Sequence, residues 1–160
     1  LVYKSLMHYW LLKTEPSAFS IDDLAKKKRV PWDGVRNYQA RNNLQAMAPG
    51  DLVLVYHSSV AVPAVVGVGE VLGEAYPDES QYDSKSHYFE PKAVKGKKDI
   101  WVARTVSYRS KLKREVSLEE IKREDGLRGM VLTQKGSRLS VHPVKETEFK
   151  TILAMGNSKK

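Results

Sequence analysis

The chain has 160 residues, of which 41% are hydrophobic and 29% charged, a composition typical of one globular domain with a substantial core. It has no cysteine, which excludes disulfides, thiolate catalysis and cysteine-ligated zinc, and it has no apolar run of about 18 residues, the length needed to span a membrane. The formal charge of +8 favours polyanionic partners, above all nucleic acid, and a cytoplasmic location is expected.

One domain is expected over residues 7–155. Met7 is typical of a natural start, so residues 1–6 are interpreted as an N-terminal extension, and this opening segment lacks the small-residue cleavage pattern of a signal peptide. The last residues, 156–160, are interpreted as a flexible basic tail.

The first predicted elements are a strand and two short helices. The apolar run HYWLLK predicts a strand over residues 8–13. A helix is predicted over residues 20–28, because Ser20 and Asp23 form a capping pattern and lysines close the last turn. A second helix is predicted over residues 37–47, where polar and aromatic side chains recur at helical spacing.

Two runs rich in β-branched residues predict the next strands. The turn sequence PGD at residues 49–51 precedes a strand over residues 52–58. Another strand is predicted over residues 62–76, and its internal glycines indicate bulges or close backbone approach, as at the corners of a small barrel. Residues 77–92 are predicted to form a long polar loop.

The next pair of elements is a strand followed by a capped helix. The strand is predicted over residues 100–108. The helix is predicted over residues 117–127, because Ser117 and Glu120 form a capping box and Gly126 is typical of a C-cap.

The end of the chain is predicted to contain a short strand over residues 138–144, ended by Pro143, and an amphipathic helix over residues 146–155. Short strands with helices between them are typical of a mixed α+β fold, mainly β. We therefore predict a small barrel decorated with short helices.

No catalytic constellation is evident. The four histidines lack the spacing of a zinc site, and neither paired carboxylates nor a nucleophilic triad is found. His57 ends a predicted strand beside Ser58 and Ser59, where a structural or ligand hydrogen bond is the commoner role and general-base catalysis the rarer alternative. We therefore predict no catalytic residue, no metal and no cofactor.

The stretch WDGVRNYQARNNL, residues 32–44, carries the strongest functional signal. Asn37, Tyr38, Arg41 and Asn42 are expected on one face of the second helix. Aromatic rings stack on nucleobases, amides match base edges and guanidinium groups hold phosphates, so this face is typical of nucleic-acid recognition. The alternative is a solvated polar face or a helix-capping network.

Two blocks of the sequence closely resemble the EVE domain family, namely YWLLKTEPSAFSIDDL at residues 9–24 and WDGVRNYQARN at residues 32–42. Further similar blocks follow in order at residues 50–58, 74–78, 83–92 and 127–144. The resemblance implies a PUA-like fold, a strongly curved pseudo-barrel sheet with short helices, related to the YTH, ASCH and PUA domains. It also implies a pocket for a modified base of DNA or RNA, such as a methylated cytosine.

The resemblance further implies which residues form the site. The base pocket is expected to contain Trp10, Lys13, Thr14, Asn37, Tyr38, Arg41, Asn42, Tyr56, His57, Ser58 and Ser140. Where family members often carry V-D-V this chain has RTV at residues 104–106, and Arg104 is interpreted as part of a phosphate-binding surface. The rest of that surface is expected to consist of Arg109, Lys111 and Lys113.

The leading hypothesis is a non-catalytic module that captures a modified base of DNA or RNA, with no membrane or metal partner. One alternative is an RNA-processing hydrolase or nuclease related to ASCH domains, which would use His57 or Lys13. The other alternative is a module that binds a free nucleoside or another small molecule in the same pocket.

Overall fold

The computed structural model describes residues 7–158, so the N-terminal extension expected over residues 1–6 lies outside the described residues. The strands are β1 (Tyr9–Thr14), β2 (Arg29–Trp32), β3 (Leu52–His57), β4 (Ala64–Pro77), β5 (Val102–Ser117) and β6 (Val141–Val144). The helices are α1 (Ile21–Lys27), α2 (Tyr38–Ala46), α3 (Leu118–Arg123) and α4 (Glu146–Asn157). Short 3-10 helices occupy Glu79–Tyr82, Asp125–Leu127 and Val131–Thr133.

The six strands form one mixed sheet in the order β2-β5-β4-β3-β1-β6. β1 and β3 pair in parallel, and the other neighbours pair antiparallel. Within the described residues β2 and β6 are the two edges and do not pair with each other, so the sheet stays open. The mixed, mainly β class with short helices is confirmed, in an open rather than a closed form.

Successive residues of the central strands enter two different cores. In β1, Trp10 and Leu12 lie in the core beneath α1 and α2, whereas Leu11 lies in the core beneath α3 and α4. In β3, Val53 and Leu54 divide in the same way. Because both faces of the sheet are covered, these strands are continuous apolar runs instead of alternating ones.

The glycines of β4 mark places where the backbone is approached closely. A Cβ atom on Gly67 would lie 2.6 Å from Ile21 Cδ1 and 2.7 Å from the carbonyl oxygen of Ser110. The pairing of β4 with β5 shifts register at three places, one of them between Val65 and Gly67. The bulges predicted from these glycines are therefore confirmed.

Two strands differ from the prediction. β5 continues to Ser117 because Leu112 and Val116 keep entering the core between charged, exposed neighbours. β2 was not predicted, since it is a four-residue edge strand containing Pro31, and proline is tolerated at such edges. Pro143 likewise lies within the edge strand β6 and does not end it.

Two helix ends also differ. α3 ends at Arg123 with Glu124 as its C-cap, so the prediction of Gly126 as the cap is wrong; Gly126 lies in the 3-10 helix that follows. α4 continues through Gly156 and Asn157, two residues assigned to the tail, because Gly156 is buried directly against Leu112. No helix within residues 7–158 is long and apolar enough to cross a membrane.

Candidate functional site

A cleft of about 830 Å³ opens at the carboxyl ends of the two parallel strands. Lys13 and Thr14 end β1 at this cleft, and Ser58 follows β3. The remaining walls come from the segment leading into α1, from β2 and the loop after it, and from two loops that carry Tyr88 and Ser140. Adjacent parallel strands thus end together at a concave surface, a common place for ligand sites.

The floor of the cleft is aromatic and apolar. Trp32, at the end of β2, is 7% exposed, and Phe19 packs edge-on against it with ring centroids 5.9 Å apart and planes at 87°. Val30 and Val35 are buried beside them. A planar, apolar ligand would find dispersion contacts and an aromatic face here.

Tyr88 forms one wall and lies against the backbone of Gly34. A Cβ atom at position 34 would lie 2.9 Å from Tyr88 Cζ, closer than real side chains approach. Gly34 also has φ +78°, in the left-handed region that favours glycine. The glycine of the WDGVRN stretch is thus required both by its own backbone and by the ring that covers it.

The loop of residues 33–37 is anchored by one buried carboxylate. Asp78, 1% exposed, accepts from Gly34 N at 2.8 Å and from Arg36 Nη1 at 3.0 Å. Burial would raise the pKa of Asp78, but hydrogen bonds from Ser80, Gly34 and Arg36 outweigh that effect and lower the pKa. Arg36 also donates to the carbonyl oxygen of Tyr88 from Nε and Nη2, so one ion pair holds two walls of the cleft.

The charged side chains of the cleft are mainly basic. Lys13 is half-buried, and burial lowers its pKa. Lys27 and Arg138 are exposed and add positive charge to the lining, while Asp33 and Glu15 are the acids there. A concave site with a positive excess and low-dielectric walls attracts anionic ligands.

Five of the residues predicted for the pocket do line the cleft. They are Lys13, Thr14, Asn37, Ser58 and Ser140. Thr14 Oγ1 donates to the carbonyl oxygen of Phe19 at 2.7 Å, and Asn37 Oδ1 accepts from Ala40 N at 2.9 Å as the N-cap of α2. The amide NH₂ of Asn37 and the ammonium of Lys13 remain as donors for a ligand.

Three other predicted residues do not line the cleft, because two are buried and the third is half-buried at the start of α1. Trp10 is buried, and its Nε1 donates to Asp51 Oδ2 at 2.9 Å. Tyr56 is buried in the core beneath α3 and α4. His57 Nε2 accepts from Ile21 N at 3.1 Å at the start of α1, and burial lowers its pKa. Packing and helix capping therefore account for these side chains.

Tyr38, Arg41 and Asn42 lie on the outer surface of α2 and do not line the cleft either. Tyr38 is 57% exposed, and its ring stacks on Trp101 with centroids 4.9 Å apart. Arg41 donates to the carbonyl oxygen of Ile100 at 3.0 Å and to Asn42 Oδ1 at 3.0 Å. The alternative of a solvated polar face describes these three residues.

The assignment of Arg104 to a phosphate-binding surface is wrong. Arg104 has 0% exposure, and its guanidinium donates to the carbonyl oxygens of Leu44, Met47 and Gly73 at 3.1, 2.7 and 2.6 Å. Two of these carbonyls close the C-terminal end of α2, a favourable place for a cation. The charge of Arg104 therefore stabilises backbone carbonyl groups of the fold and is not available to a phosphate.

The other predicted phosphate ligands are on the surface. Arg109 pairs with Glu70 at 2.8 Å and Lys111 with Asp22 at 3.0 Å. Lys113 is exposed on β5. Exposed ion pairs of this kind are weak, so both cations stay accessible to a polyanion.

Several residues of the cleft were not predicted. They are Glu15, Ala18, Phe19, Lys27, Val30, Pro31, Trp32, Asp33, Gly34, Val35, Arg36, Tyr88 and Arg138. The signal for Trp32 to Arg36 was present, because the WDGVRN stretch adjoins the residues that were chosen. Tyr88 and Arg138 lie within the similar blocks 83–92 and 127–144, but nothing local indicates their direction. Within residues 7–158 no group of three or more acidic or histidine side chains is placed to hold a metal.

Comparison with known proteins gives consistent matches over nearly the whole chain. Residues 8–155 match the EVE domain. The chain is 37% identical to thymocyte nuclear protein 1 of Mus musculus over 171 residues, which cover 95% of this chain and 75% of the relative. A hypothetical protein from Leishmania major has a similar structure, with a TM-score of 0.88, 48% identity and 94% of each chain covered. Human THYN1 in complex with DNA containing 5-methylcytosine is similar with a TM-score of 0.89, 32% identity and coverage of 96% of this chain and 99% of that one.

Proposed function

Because the chain belongs to the EVE domain family, we propose that it is a non-catalytic nucleic-acid-binding module that takes a modified base into the cleft. The observation that carries the proposal is a cleft of about 830 Å³ with an aromatic floor at Trp32 and basic residues among its lining. The likeness to human THYN1, whose structure holds DNA containing 5-methylcytosine, supports that base as the ligand.

The floor and walls of the cleft are suited to a base that is no longer stacked on its neighbours in the nucleic acid. Stacking on an aromatic side chain contributes about 1–3 kcal/mol per base, and Trp32 with Phe19 supplies the aromatic surface. Taking a base out of a duplex costs a few kcal/mol. Single strands and weak pairs are therefore the favoured targets.

The flanking phosphates would contact a basic ridge beside the cleft. We define the basic ridge as the exposed residues Lys26, Lys27, Lys28 and Arg29, which make no ion pair within residues 7–158. Lys27 also lines the cleft. Arg29 pairs with Ser107, so the ridge adjoins Arg109 and Lys111 on β5. A nucleic-acid backbone along this surface implies affinity that falls steeply with salt.

We propose that the chain binds nucleic acid without catalysing a reaction on it. The hydrolase alternative needed His57 or Lys13 as a base, and the His57 lone pair already accepts from Ile21 N. Lys13 lines the cleft without a triad or paired carboxylates around it. Its ammonium is better suited to donate to a base or a phosphate. A cytoplasmic location stays a prediction, although the relatives bear the name of a nuclear protein.

The test is binding of single-stranded oligonucleotides that differ only at one central base. Each oligonucleotide would be made as DNA and as RNA with cytosine or 5-methylcytosine, and fluorescence anisotropy would be measured at two salt concentrations. The cleft would be obstructed by Ala18→Trp, since Ala18 is an exposed residue of the lining. The matched control is Ala154→Trp on the exposed side of α4, which packs on the opposite face of the sheet.

We expect tighter binding of 5-methylcytosine, lost by at least tenfold in Ala18→Trp and retained in Ala154→Trp. Binding that is equal for all bases and unaffected by Ala18→Trp would refute the base pocket. Tight, salt-insensitive binding of a free nucleoside would instead indicate a small-molecule module.

A further inference from the structure

A cleft that accommodates 5-methylcytosine faces a specificity problem. Thymine carries the same methyl group at C5, so a pocket that only recognises the methyl and the ring face accepts both bases. The two differ at C4, where cytosine presents an amino donor and thymine a carbonyl acceptor. A protein acceptor near the C4 edge would therefore favour cytosine over thymine, as a protein donor near N3 also would.

The cleft contains few acceptors that are still available. Asn37 Oδ1 already accepts from Ala40 N, and the Thr14 hydroxyl, which donates its proton to the carbonyl oxygen of Phe19, keeps only the lone pairs of a neutral oxygen as acceptors. The hydroxyls of Ser58 and Ser140 can donate as well as accept, and therefore discriminate weakly. Carboxylates are the side chains that accept only, and the lining contains two, Asp33 and Glu15.

Asp33 is the better placed of the two carboxylates. It directly follows the buried floor residue Trp32 in the chain. It makes no ion pair within the described residues, because the nearby Arg36 is engaged by Asp78. Burial raises the pKa of Asp33, and the charge of Asp78 raises it further. The carboxylate is accessible at the cleft and no side-chain cation among residues 7–158 holds it, so it can accept a hydrogen bond from a ligand N–H.

Resting on the proposed function, we infer that Asp33 selects cytosine bases over thymine by accepting a hydrogen bond from the N4 amino group. The O4 of thymine would face the same carboxylate as a second acceptor, which is repulsive. Lys13 and the Asn37 amide provide donors for N3 and O2 of cytosine, which are both acceptors. Of these two acceptors thymine shares only O2. Asp33 is therefore a specificity residue, and the methyl group is recognised separately by apolar contact.

The experiment compares 5-methylcytosine, cytosine, thymine and uracil at the central position of one single-stranded DNA. The test variant is Asp33→Asn, which keeps the shape but offers both a donor and an acceptor. The readout is the ratio of the Kd for thymine to the Kd for 5-methylcytosine. We expect a ratio of about ten or more in the wild type and a clearly smaller ratio in Asp33→Asn, because the amide can rotate to suit either base and only the donors facing N3 still favour cytosine.

Two further variants make the result specific. Asp125→Asn changes the net charge equally at an exposed acid remote from the cleft and should leave the ratio unchanged. Glu15→Gln tests the other carboxylate of the lining. A wild-type ratio in Asp33→Asn, or a loss of discrimination in Glu15→Gln alone, would overturn the assignment to Asp33.

The two proposals fail in different ways. If the wild type does not distinguish 5-methylcytosine from cytosine and Ala18→Trp binds normally, the base pocket itself is wrong. If that preference holds and Ala18→Trp abolishes it while Asp33→Asn still rejects thymine, the pocket stands and the role of Asp33 falls. Thermal unfolding of each variant verifies that folding is retained, and Asp33→Ala, which should weaken 5-methylcytosine binding, provides a second measurement.

Discussion

Asp78 accepts a hydrogen bond from Arg36 Nη1 at 3.0 Å, and this contact ties the loop after β2 to the turn after β4. Asp78 is 1% exposed and Arg36, which lines the cleft, also supports Tyr88, so the pair shapes the cleft. Side chains that support the walls of a binding site affect both the stability of the fold and the affinity for the ligand.

Asp78→Asn should therefore lower both the stability of the fold and the affinity for oligonucleotides. Hydrogen bonds to charged groups contribute about 1.5–3 kcal/mol, so we expect about 2 kcal/mol lower free energy of unfolding, together with weaker oligonucleotide binding. Urea unfolding and anisotropy would measure the two effects. The control is Glu79→Gln, since Glu79 is 71% exposed and pairs with Lys95 at the surface. That variant should change stability by less than about 0.5 kcal/mol.

Gly34→Ala should lower stability through two separable causes. The φ of +78° costs a side chain about 1 kcal/mol or more, and the new Cβ would press on Tyr88. Gly50→Ala isolates the first cause, because Gly50 has φ +91° but a Cβ atom there would have nothing within 4 Å. We expect the larger loss for Gly34→Ala in urea unfolding.

The steric part of that effect can be tested by removing the ring. Tyr88→Ala should make Gly34→Ala no more damaging than Gly50→Ala, because the clash partner is gone. If the two alanine substitutions remain unequal in the Tyr88→Ala background, the contact with the ring is not the reason for the glycine.

Arg104→Met and Arg109→Met should behave in opposite ways. Arg104→Met leaves three carbonyl oxygens without their donor, of which those of Leu44 and Met47 are buried, and we expect about 3 kcal/mol lower stability. Arg109→Met removes one exposed ion pair and should barely change stability. Its expected effect is weaker oligonucleotide binding at low salt. Guanidinium unfolding and binding at two salt concentrations separate the two outcomes.

Because of His142, the free energy of unfolding should depend on pH at values higher than those at which carboxylates titrate. It is fully buried, and burial lowers its pKa to about 4 from the ordinary 6.5, helped by the charge of Lys13 and opposed by the hydrogen bond with Pro143. As the pH falls below 6.5, the unfolded chain binds a proton that the folded chain does not. Stability should therefore fall by about 2 kcal/mol between pH 7 and pH 5.

The check on this prediction is His142→Asn, whose amide can donate to the Pro143 carbonyl oxygen in place of Nδ1. It should be less stable at pH 7 but lose less stability between pH 7 and pH 5. A smaller slope remains, because burial also lowers the pKa of His57. His87→Asn, at an exposed histidine, should keep the wild-type slope; an unchanged slope in His142→Asn would show that another group is responsible.

Local signals predicted much of the fold. The capping box of Ser20 and Asp23 places the start of α1, and that of Ser117 and Glu120 places α3. Apolar runs predicted β1 and β3, and the family resemblance supplied the fold class. These signals succeed because a cap or a strand preference acts between residues only a few positions apart.

The lining of the cleft was decided by tertiary structure. Trp10 and Trp32 both lie in blocks that resemble the family. Trp10 is buried and donates a hydrogen bond to Asp51, whereas Trp32 forms the floor of the cleft. Arg104 and Arg109 lie on one strand, yet one is buried and the other is exposed. Neither difference is visible locally, because the direction of a side chain depends on register, bulges and the elements packed against the strand.

Composition, local patterns and motifs are enough to establish a basic, cysteine-free chain, its main strands and helices, and its family. That the loop of residues 33–37 folds over Asp78 and beneath Tyr88 to make a cleft depends on long-range contacts. These contacts join positions more than 40 residues apart. Their geometry follows from how the whole sheet pairs, which no local pattern encodes.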